Sequence, residues 1–357
     1  MNEQLGFALS NVSGISGHEE NVRKIMEDNL QDYVDEFTFD KLGSLIGIKK
    51  GQGNGPKIML AAHMDEVGFI VKQIDDNGYL KFSPVGGWWS QVLLGQRVKV
   101  VNSQNQEFIG VIGSTPPHVL PKEKRNEVVQ IQDMFIDVGA KDKAEVEQNG
   151  INIGDMIVPD STAVNLLNED FVLGKAWDDR IGCLVLIEVM QRLAKVKHQA
   201  DVYAVATVQE EIGLKGAKTA ANKINPDIAF ALDTGIAGDT PGMTKDQSQS
   251  DLGKGPQYTI MDGGMIIHNG LKKYIQEVAQ EEKIAVQPEI LLGGSTDAAS
   301  INISGTGVPA TCISLATRYI HSHNSIISKK DFQGAVDLLV NLIINLDNTK
   351  YEEIINS

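Results

Sequence analysis

The chain has 357 residues, of which 42% are hydrophobic and 22% are charged, an ordinary composition for a globular protein. Its 47 acidic and 32 basic residues give a net charge of −15, which argues against nucleic acid as a partner because phosphate binding requires a basic surface. The sequence has neither a signal-peptide pattern nor an apolar run of membrane-spanning length, so we expect a cytoplasmic protein with no membrane partner.

Predicted secondary structure begins with a helix near His18. Ser16 and Glu19 have the spacing of a capping box, and apolar residues at helical spacing follow them. Two strand-like runs come next, "SLIGIKK" and "KIMLAAH", separated by a Gly-rich turn, "GQGNG". The second strand is expected to end at His63.

The segment from residue 66 to residue 161 differs from its surroundings. Short alternating runs such as "RVKVVN" and "FIGVIG" are separated by turn signals, and only "KDKAEVEQNG" has a convincing helical pattern. The whole chain is also long for a single hydrophobic core. We therefore predict that residues 66–161 form an inserted, mostly β, barrel-like domain.

From Leu173 onward, long helical patterns alternate with short apolar strands. "RIGCLVLIEVMQRLA" is typical of the helices, and "DVYAVATV" is typical of the strands. This alternation predicts an α/β fold with three layers, α/β/α, around a largely parallel sheet. Residues 1–65 and 162–357 would together form this catalytic domain, which the barrel-like insertion interrupts.

The two cysteines, Cys183 and Cys312, each lie within an apolar run. We expect buried free thiols there, and neither a disulfide nor a sulfur-ligated metal site. Any metal ion would then be held by His, Asp and Glu side chains.

Residues that directly follow the predicted strands are the candidates for a functional site. Open α/β sheets bind their ligands beyond the carboxyl ends of the strands, where such residues meet. A further aspartate stands at the start of a long helix, where the helix dipole favours a negative group. The candidates are His63, Asp65, Asp178 or Asp179, Glu210, Glu211, Asp233, Arg318, His321 and His323.

Each candidate alone also has a purely structural explanation. Glu210 and Glu211 could form a solvated turn, an aspartate at the helix start could be an N-cap, and Asp233 could form an Asx-turn. These explanations do not account for so many such groups at one edge of a sheet. Imidazoles together with carboxylates suit zinc, cobalt or manganese.

The number of candidate ligands indicates two metal ions. Two ions about 3.5 to 4 Å apart need a bridging carboxylate and about two further ligands each. A bridging aspartate together with His63, Glu211, Asp233 and His321 fits this requirement. Asp65 would hydrogen-bond the second ring nitrogen of His63 and orient the ring, and Glu210 would remain as the base.

Five motifs surround the candidate residues: "AAHMDEVGF", "KAWDDRIG", "VQEEIGLKGA", "ALDTG" and "RYIHS". In this order and spacing they resemble the motifs of the tetrahedral and glutamyl aminopeptidases, with further similarity in "SGISGHEENVR", "GVIGSTPPH", "GINIGD" and "GGSTDAAS". These enzymes are dinuclear metallopeptidases of the cytoplasm, with a zinc-peptidase type of α/β fold and a β-rich insertion. The "HSH" at residues 321–323 is similar to the glutamyl branch of this family.

The resemblance implies a role for each candidate. Asp178, and not Asp179, would bridge the ions, and His63 and Asp233 would bind different ions. Glu211 and His321 would complete the two sites, with Glu210 as general base. The chain departs from many members by reading "HSHNS", with no proline after His321. His323 is therefore a second candidate ligand or a pocket residue, although we favour His321.

The resemblance also implies an activity and an assembly. The enzyme would remove N-terminal residues from short peptides by attack of a water that two metal ions and Glu210 activate. It would assemble as a homododecameric shell, with the insertion serving oligomerisation and substrate access. The adjacent Trp88 and Trp89 could anchor a subunit interface or form the core of the insertion.

Acidic N-terminal residues are the favoured substrates, and broad or leucyl cleavage is the alternative. An acidic side chain approaching a protein of this charge needs local cations, for which Arg318, Lys245 and Lys254 are candidates. An N-acyl amino acid deacylase or a carboxypeptidase could use the same metal pair. Glycoside hydrolysis is a weaker alternative because it needs two carboxylates that flank a sugar.

Overall fold

The computed structural model describes residues 1–53 and 55–357, so Asn54 of the predicted "GQGNG" turn lies outside the described residues. The helices are α1 (Glu3–Asn11), α2 (Glu20–Leu30), α3 (Lys143–Gln148), α4 (Trp177–Leu193), α5 (Lys215–Ile224), α6 (Asn269–Glu281), α7 (Asp297–Asn302), α8 (Lys329–Ile344) and α9 (Asn348–Ile355). The strands are β1 (Glu36–Phe39), β2 (Leu45–Lys49), β3 (Lys57–His63), β4 (Gly68–Ile74), β5 (Leu80–Val85), β6 (Arg97–Val101), β7 (Glu107–Gly113), β8 (Phe135–Asp137), β9 (Met156–Pro159), β10 (Val164–Asn165), β11 (Phe171–Gly174), β12 (Asp201–Thr207), β13 (Ile228–Ile236), β14 (Gln257–Met261), β15 (Gln287–Ile290), β16 (Ala310–Thr317) and β17 (Ser325–Ser328).

A large mixed sheet forms the centre of the molecule, with strand order β1-β2-β12-β3-β13-β16-β14-β15. Its middle strands, β12, β3, β13 and β16, run parallel to one another. Helices α4 and α8 pack on one face, and α5 and α7 pack on the other. The predicted three-layer α/β/α architecture is confirmed.

A closed barrel of six strands, in the order β4-β5-β8-β7-β6-β9, forms the second body of the fold. Alternating apolar residues of these strands, among them Phe69, Val98 and Ile136, point inward and form a core separate from that of the large sheet. The barrel strands run from Gly68 to Pro159, within the range expected for the insertion. The domain limits at residues 66 and 161 stay a prediction.

The N-terminal segment differs from the sequence expectation. Helix α1 precedes the predicted helix, and α2 begins at Glu20 without a side-chain cap. The prediction of a capping box is wrong, because the side chains of Ser16 and Glu19 hydrogen-bond to residues far away in the chain. The Ser16 hydroxyl donates to Asp65 Oδ2 at 2.5 Å, and Glu19 Oε1 accepts from the backbone N–H of Gln209 at 3.0 Å.

The predicted free thiols are confirmed, since Cys183 and Cys312 are buried and unbonded to each other. Among the helices that the structure describes, none is long and apolar enough to cross a membrane.

A buried ion pair joins the segment that leads into the barrel to the segment that leads into α4. Lys175 Nζ lies 2.5 and 2.7 Å from the two carboxylate oxygens of Glu66, and Arg180 Nη2 lies 3.4 Å from one of them. The Lys175 and Glu66 side chains are each 1% exposed. Burial lowers the pKa of Lys175 to about 8, an effect that Glu66 opposes.

We expect Lys175→Met to lower the free energy of unfolding by about 3 kcal/mol, because it leaves the Glu66 carboxylate buried with a weaker partner. Urea unfolding followed by circular dichroism measures this change. Lys24→Met is the control, since Lys24 pairs with Asp28 at an exposed position, where ion pairs contribute little. Equal stability of the two variants would contradict the prediction.

Candidate metal centre

The carboxyl ends of the parallel strands bring the candidate residues to one edge of the sheet. His63 ends β3 directly beside Thr207, which ends β12, and Asp233 lies on the other neighbour of β3, strand β13. Glu210 and Glu211 follow β12, and His321 follows β16. The structure therefore places the residues expected from their strand-end positions around a common space.

One carboxylate lies between two imidazoles. Asp178 Oδ1 is 3.1 Å from His63 Nε2, and Asp178 Oδ2 is 3.1 Å from His321 Nε2. A carboxylate that faces a different imidazole with each oxygen can bridge two cations. Asp178 has this position although it lies in the first turn of α4, because its backbone dihedrals, φ −80° and ψ 106°, are not helical.

The remaining ligand candidates divide between the two imidazoles. Asp233 Oδ1 is 3.8 Å from His63 Nε2, and Glu211 Oε1 is 3.4 Å from His321 Nε2. His63 and Asp233 thus lie on the same side of Asp178. The expectation that they bind different ions stays a prediction, and their proximity favours a shared ion. They are close because β3 and β13 are adjacent parallel strands, so the side chains at their ends are neighbours.

The donor set fits divalent metal ions. Ligand atoms of His63, Asp178 and Glu211 lie within 4.8 Å of one another, as do those of His63, Glu210 and Asp233. Glu211 Oε1 is buried and accepts no hydrogen bond from any residue that the structure describes. A buried carboxylate oxygen without a hydrogen bond is costly, and a cation held by this oxygen and His321 would compensate for it.

The carboxylates strongly perturb one another. Burial raises the pKa of Glu210 well above its usual range, and Asp233 and Asp297 add to this rise while His63 opposes it. Burial would lower the pKa of His63, but Glu210 and Asp178 raise it well above its usual range. This concentration of negative charge in a buried space is what bound cations would offset.

Asp179, the alternative to Asp178, has a different environment. Its carboxylate accepts backbone N–H groups, from His63 at 3.0 Å and from Gly182 at 3.0 Å. The peptide bond between Asp178 and Asp179 is cis. Through these two hydrogen bonds Asp179 holds the main chain at the end of β3. Asp178 alone reaches both imidazoles.

The Asp65 carboxylate does not make the hydrogen bond to His63 that was expected of it. The His63 ring donates from Nδ1 to the main-chain carbonyl oxygen of Asp65, at 2.9 Å, whereas the Asp65 carboxylate is 3.7 Å away. That carboxylate instead accepts the backbone N–H groups of Glu210 and Glu211, at 3.1 and 3.2 Å, and the Ser16 hydroxyl. Asp65 therefore fixes the main chain that carries the two glutamates.

Asp297 is a buried acid near the site that had no role in the sequence reasoning. It lies in the "GGSTDAAS" motif, is 2% exposed, and accepts the Thr207 hydroxyl at 2.6 Å. Burial raises the pKa of Asp297 to about 7. An Asp that directly precedes small helix-forming residues was the available signal, but the same pattern is typical of ordinary helix starts.

A cavity of about 560 Å³ opens onto these residues. Beyond the ligand candidates, its wall consists of glycines, of apolar residues and of three hydroxyl residues. The largest apolar side chains are Leu214, Ile236, Leu291 and Ile320, and the hydroxyl residues are Thr234, Ser295 and Thr296. None of its described lining residues is lysine or arginine. The wall of this cavity therefore offers a substrate side chain apolar contacts and a few hydroxyl groups, but no cationic side chain.

The three cations considered for an acidic substrate lie elsewhere. Arg318 is paired with Asp239, at 2.8 and 2.6 Å, and Lys245 is paired with Asp251. Lys254 is exposed and outside the cavity wall.

A second cavity, of about 790 Å³, contains the other histidine candidate. His323 is 3% exposed and 5.6 Å from the ring of Trp88, and neither of its ring nitrogens has a partner among the described residues. Burial lowers its pKa to about 4. None of the described residues lining this second cavity is Asp or Glu, and His321 is the imidazole that faces Asp178.

The two adjacent tryptophans have different environments. Trp88 stacks on Phe69 in the barrel core, with ring centroids 4.7 Å apart, and donates from Nε1 to the Gly68 carbonyl oxygen. Trp89 is 61% exposed. Trp88 is therefore part of the barrel core, which was one of the two alternatives for this pair. Trp89 is open to solvent, so the other alternative, a subunit interface, stays a prediction for Trp89 alone.

Comparison with known proteins gives a consistent result. The family model described as M42 glutamyl aminopeptidase matches residues 43–338. The glutamyl aminopeptidase of Lactococcus lactis is 35% identical over 98% of both chains, and the lysyl aminopeptidase of Pyrococcus furiosus is 35% identical over 93% of this chain and 94% of its own.

Solved structures agree with these matches. A TET aminopeptidase from a marine sediment archaeon of the Thaumarchaeota superimposes with a TM-score of 0.96, at 43% identity over 99% of this chain and 98% of that chain. The TET1 peptidase of Pyrococcus horikoshii, described as able to assemble into a tetrahedron or a large octahedral shell, has a TM-score of 0.86 at 32% identity over 96% of this chain and 99% of that chain. The chain belongs to the M42 glutamyl aminopeptidase family.

Proposed function

We propose that this peptidase needs two divalent metal ions and removes N-terminal residues from short peptides. The observation that carries the proposal is the position of Asp178, whose two oxygens each lie 3.1 Å from a different imidazole nitrogen. His63 and Asp233 would hold one ion with Asp178, and His321 and Glu211 would hold the other. Zinc or cobalt suits these ligands best, and manganese is a third candidate.

Glu210 is the proposed general base. When bound, the ions lower the pKa of a water molecule and polarise the scissile carbonyl group. Glu210 lines the cavity beside the ligand candidates, and its backbone N–H donates a hydrogen bond of 3.1 Å to the Asp65 carboxylate. Its carboxylate takes the proton of the attacking water and passes it to the leaving amine. Asp65 acts as a positioning residue for this step.

The lining of the cavity supports a preference for free amino ends. A carboxypeptidase needs a cationic side chain to hold the substrate carboxylate, and none of the described lining residues is lysine or arginine. The carboxylates of Asp178, Glu210, Glu211 and Asp233 line the same wall and can accept hydrogen bonds from a substrate ammonium group. This contrast argues against the carboxypeptidase alternative.

For the substrate side chain we propose neutral, apolar residues. The acidic preference expected from the sequence needs a cation, and the cavity wall described above has none while offering Leu214, Ile236 and Leu291. Relatives named for glutamyl and for lysyl cleavage are equally identical to this chain, at 35%, so their names do not decide the matter.

A panel of aminoacyl-anilides tests the activity and its specificity. We expect metal-loaded protein to cleave Leu-anilide at least about tenfold faster than Glu-anilide in kcat/KM, and to leave N-acetyl-Leu-anilide intact. EDTA should abolish cleavage. Faster cleavage of Glu-anilide would restore the acidic preference, and cleavage of the N-acetylated compound would favour a deacylase.

We further propose that the protein assembles with copies of itself into a closed dodecameric shell. The support is the likeness to the Pyrococcus horikoshii peptidase, for which a tetrahedron is described. Mass photometry should give about twelve times the chain mass of 38.8 kDa. A monomer or dimer at physiological concentration would contradict the proposal. The cytoplasmic location stays a prediction.

A further inference from the structure

The two cavities meet at the proposed metal centre. Gly87, Ile320 and His321 line both of them, so the second cavity begins where the first one ends. A Cβ atom at Gly87 would lie 3.1 Å from His321 Nδ1, so this position has little room for a side chain. A peptide bound in both cavities would therefore run past His321, where Gly87 leaves the main chain uncovered by a side chain.

The chemistry of the two cavities differs. The first contains the carboxylates of the metal centre, whereas none of the described residues lining the second is Asp, Glu, Lys or Arg. A free α-ammonium group is stabilised among carboxylates, and the uncharged peptide that follows it is better placed against neutral, aromatic walls. We propose that the second cavity binds the residues that follow the scissile bond and favours an aromatic or apolar side chain in the first of them. This assignment rests on the proposed aminopeptidase function.

His323 supplies an independent observation. Its imidazole is almost completely buried in the wall of the second cavity, yet both ring nitrogens lack a partner among the described residues. Unpaired buried polar atoms are uncommon because they are costly. The ring nitrogens have almost no accessible surface, so a peptide group, which has both a donor and an acceptor, would pair with the ring after a small rotation of the His323 side chain.

Two exposed aromatic side chains form the rim of the second cavity. Trp89 is 61% exposed and Tyr319 is 58% exposed. Such rings offer flat apolar area with few rotatable bonds, which suits contacts with substrate side chains of varied shape. Trp89 is the clearer test, because Trp88 also supports the barrel core.

A ratio of two substrates isolates this subsite. Leu-amide places only an ammonia leaving group after the scissile bond, whereas Leu-Phe-Ala fills the second cavity. We expect Trp89→Ala to lower the ratio of kcat/KM for Leu-Phe-Ala to that for Leu-amide about tenfold, through KM. Changes in metal content or folded fraction cancel in this ratio. Tyr79→Ala is the control, since Tyr79 is a partly exposed aromatic residue of the barrel outside both cavities, and it should keep the wild-type ratio.

Calorimetry gives a readout that does not need turnover. N-acetyl-Phe-Ala-amide has no free amine, so its binding reports on the second cavity. Its Kd should rise several-fold in Trp89→Ala and in His323→Phe, which keeps an aromatic ring but removes the nitrogens.

The outcomes separate the two proposals. Hydrolysis of Leu-amide with an unchanged ratio and unchanged Kd in Trp89→Ala would overturn the subsite and leave the aminopeptidase intact. Failure of the wild type to hydrolyse Leu-amide would contradict the proposed function itself. A smaller assembly for Trp89→Ala than for the wild type would identify this surface as a contact between copies, and would also overturn the subsite.

Discussion

Glu210→Gln is expected to lower kcat on Leu-anilide by roughly 10²–10⁴-fold while the bound metal stays at the wild-type level. Glutamine has nearly the shape of glutamate but cannot take the proton of the attacking water. The change spares the ligand grouping of Asp178 with His63 and His321, whose atoms lie closest together. Steady-state kinetics and metal analysis by mass spectrometry, on the same protein sample, measure both quantities.

The neighbouring glutamate provides the matched comparison. Glu211→Gln removes a proposed ligand beside His321, so it should lower metal content as well as turnover. Near-normal turnover of Glu210→Gln with metal bound would show that Glu210 is not the base. Loss of metal from Glu210→Gln would move this residue into the ligand set.

Asp178→Asn is expected to weaken the binding of both ions, by at least about 100-fold in apparent affinity, because even residues that only orient a ligand cost 10–100-fold. One carboxylate faces both imidazoles, so its loss removes a ligand from each side of the centre. Competition with a fluorescent chelator measures the affinity of the first and the second ion.

The adjacent aspartate tests whether this effect is specific. Asp179→Asn changes a carboxylate that accepts two backbone N–H groups and does not face the imidazoles, so we expect lower stability but a much smaller loss of metal affinity. If Asp178→Asn still binds its second ion as tightly as the wild type, Asp178 is not a bridging ligand.

Much of the candidate site was predictable because of a rule about sheets. Residues at the carboxyl ends of parallel strands meet at one edge whatever the strand order, so His63, Glu210, Glu211 and Asp233 could be selected from strand patterns alone. The barrel was predictable for a similar reason, since alternation along β4 to β9 already marks which side chains face inward.

Which ligand candidates lie next to each other was not predictable in this way. The proximity of His63 to Asp233 depends on β3 lying next to β13, and these strands are far apart in the chain. The contacts of Ser16 and Asp65 depend likewise on segments 49 and 145 residues away. A local pattern such as a capping box cannot reveal that a distant carboxylate or N–H group will compete for the same side chain.

The sequence by itself therefore determined the layered fold, the barrel and the chemical type of the site, because periodicity and strand ends are local properties. Only the tertiary structure decided that Asp178 faces both imidazoles, that no described cation lines the 560 Å³ cavity, and that a neutral second cavity continues from it. Those features depend on directions and distances between segments that the order of residues does not specify.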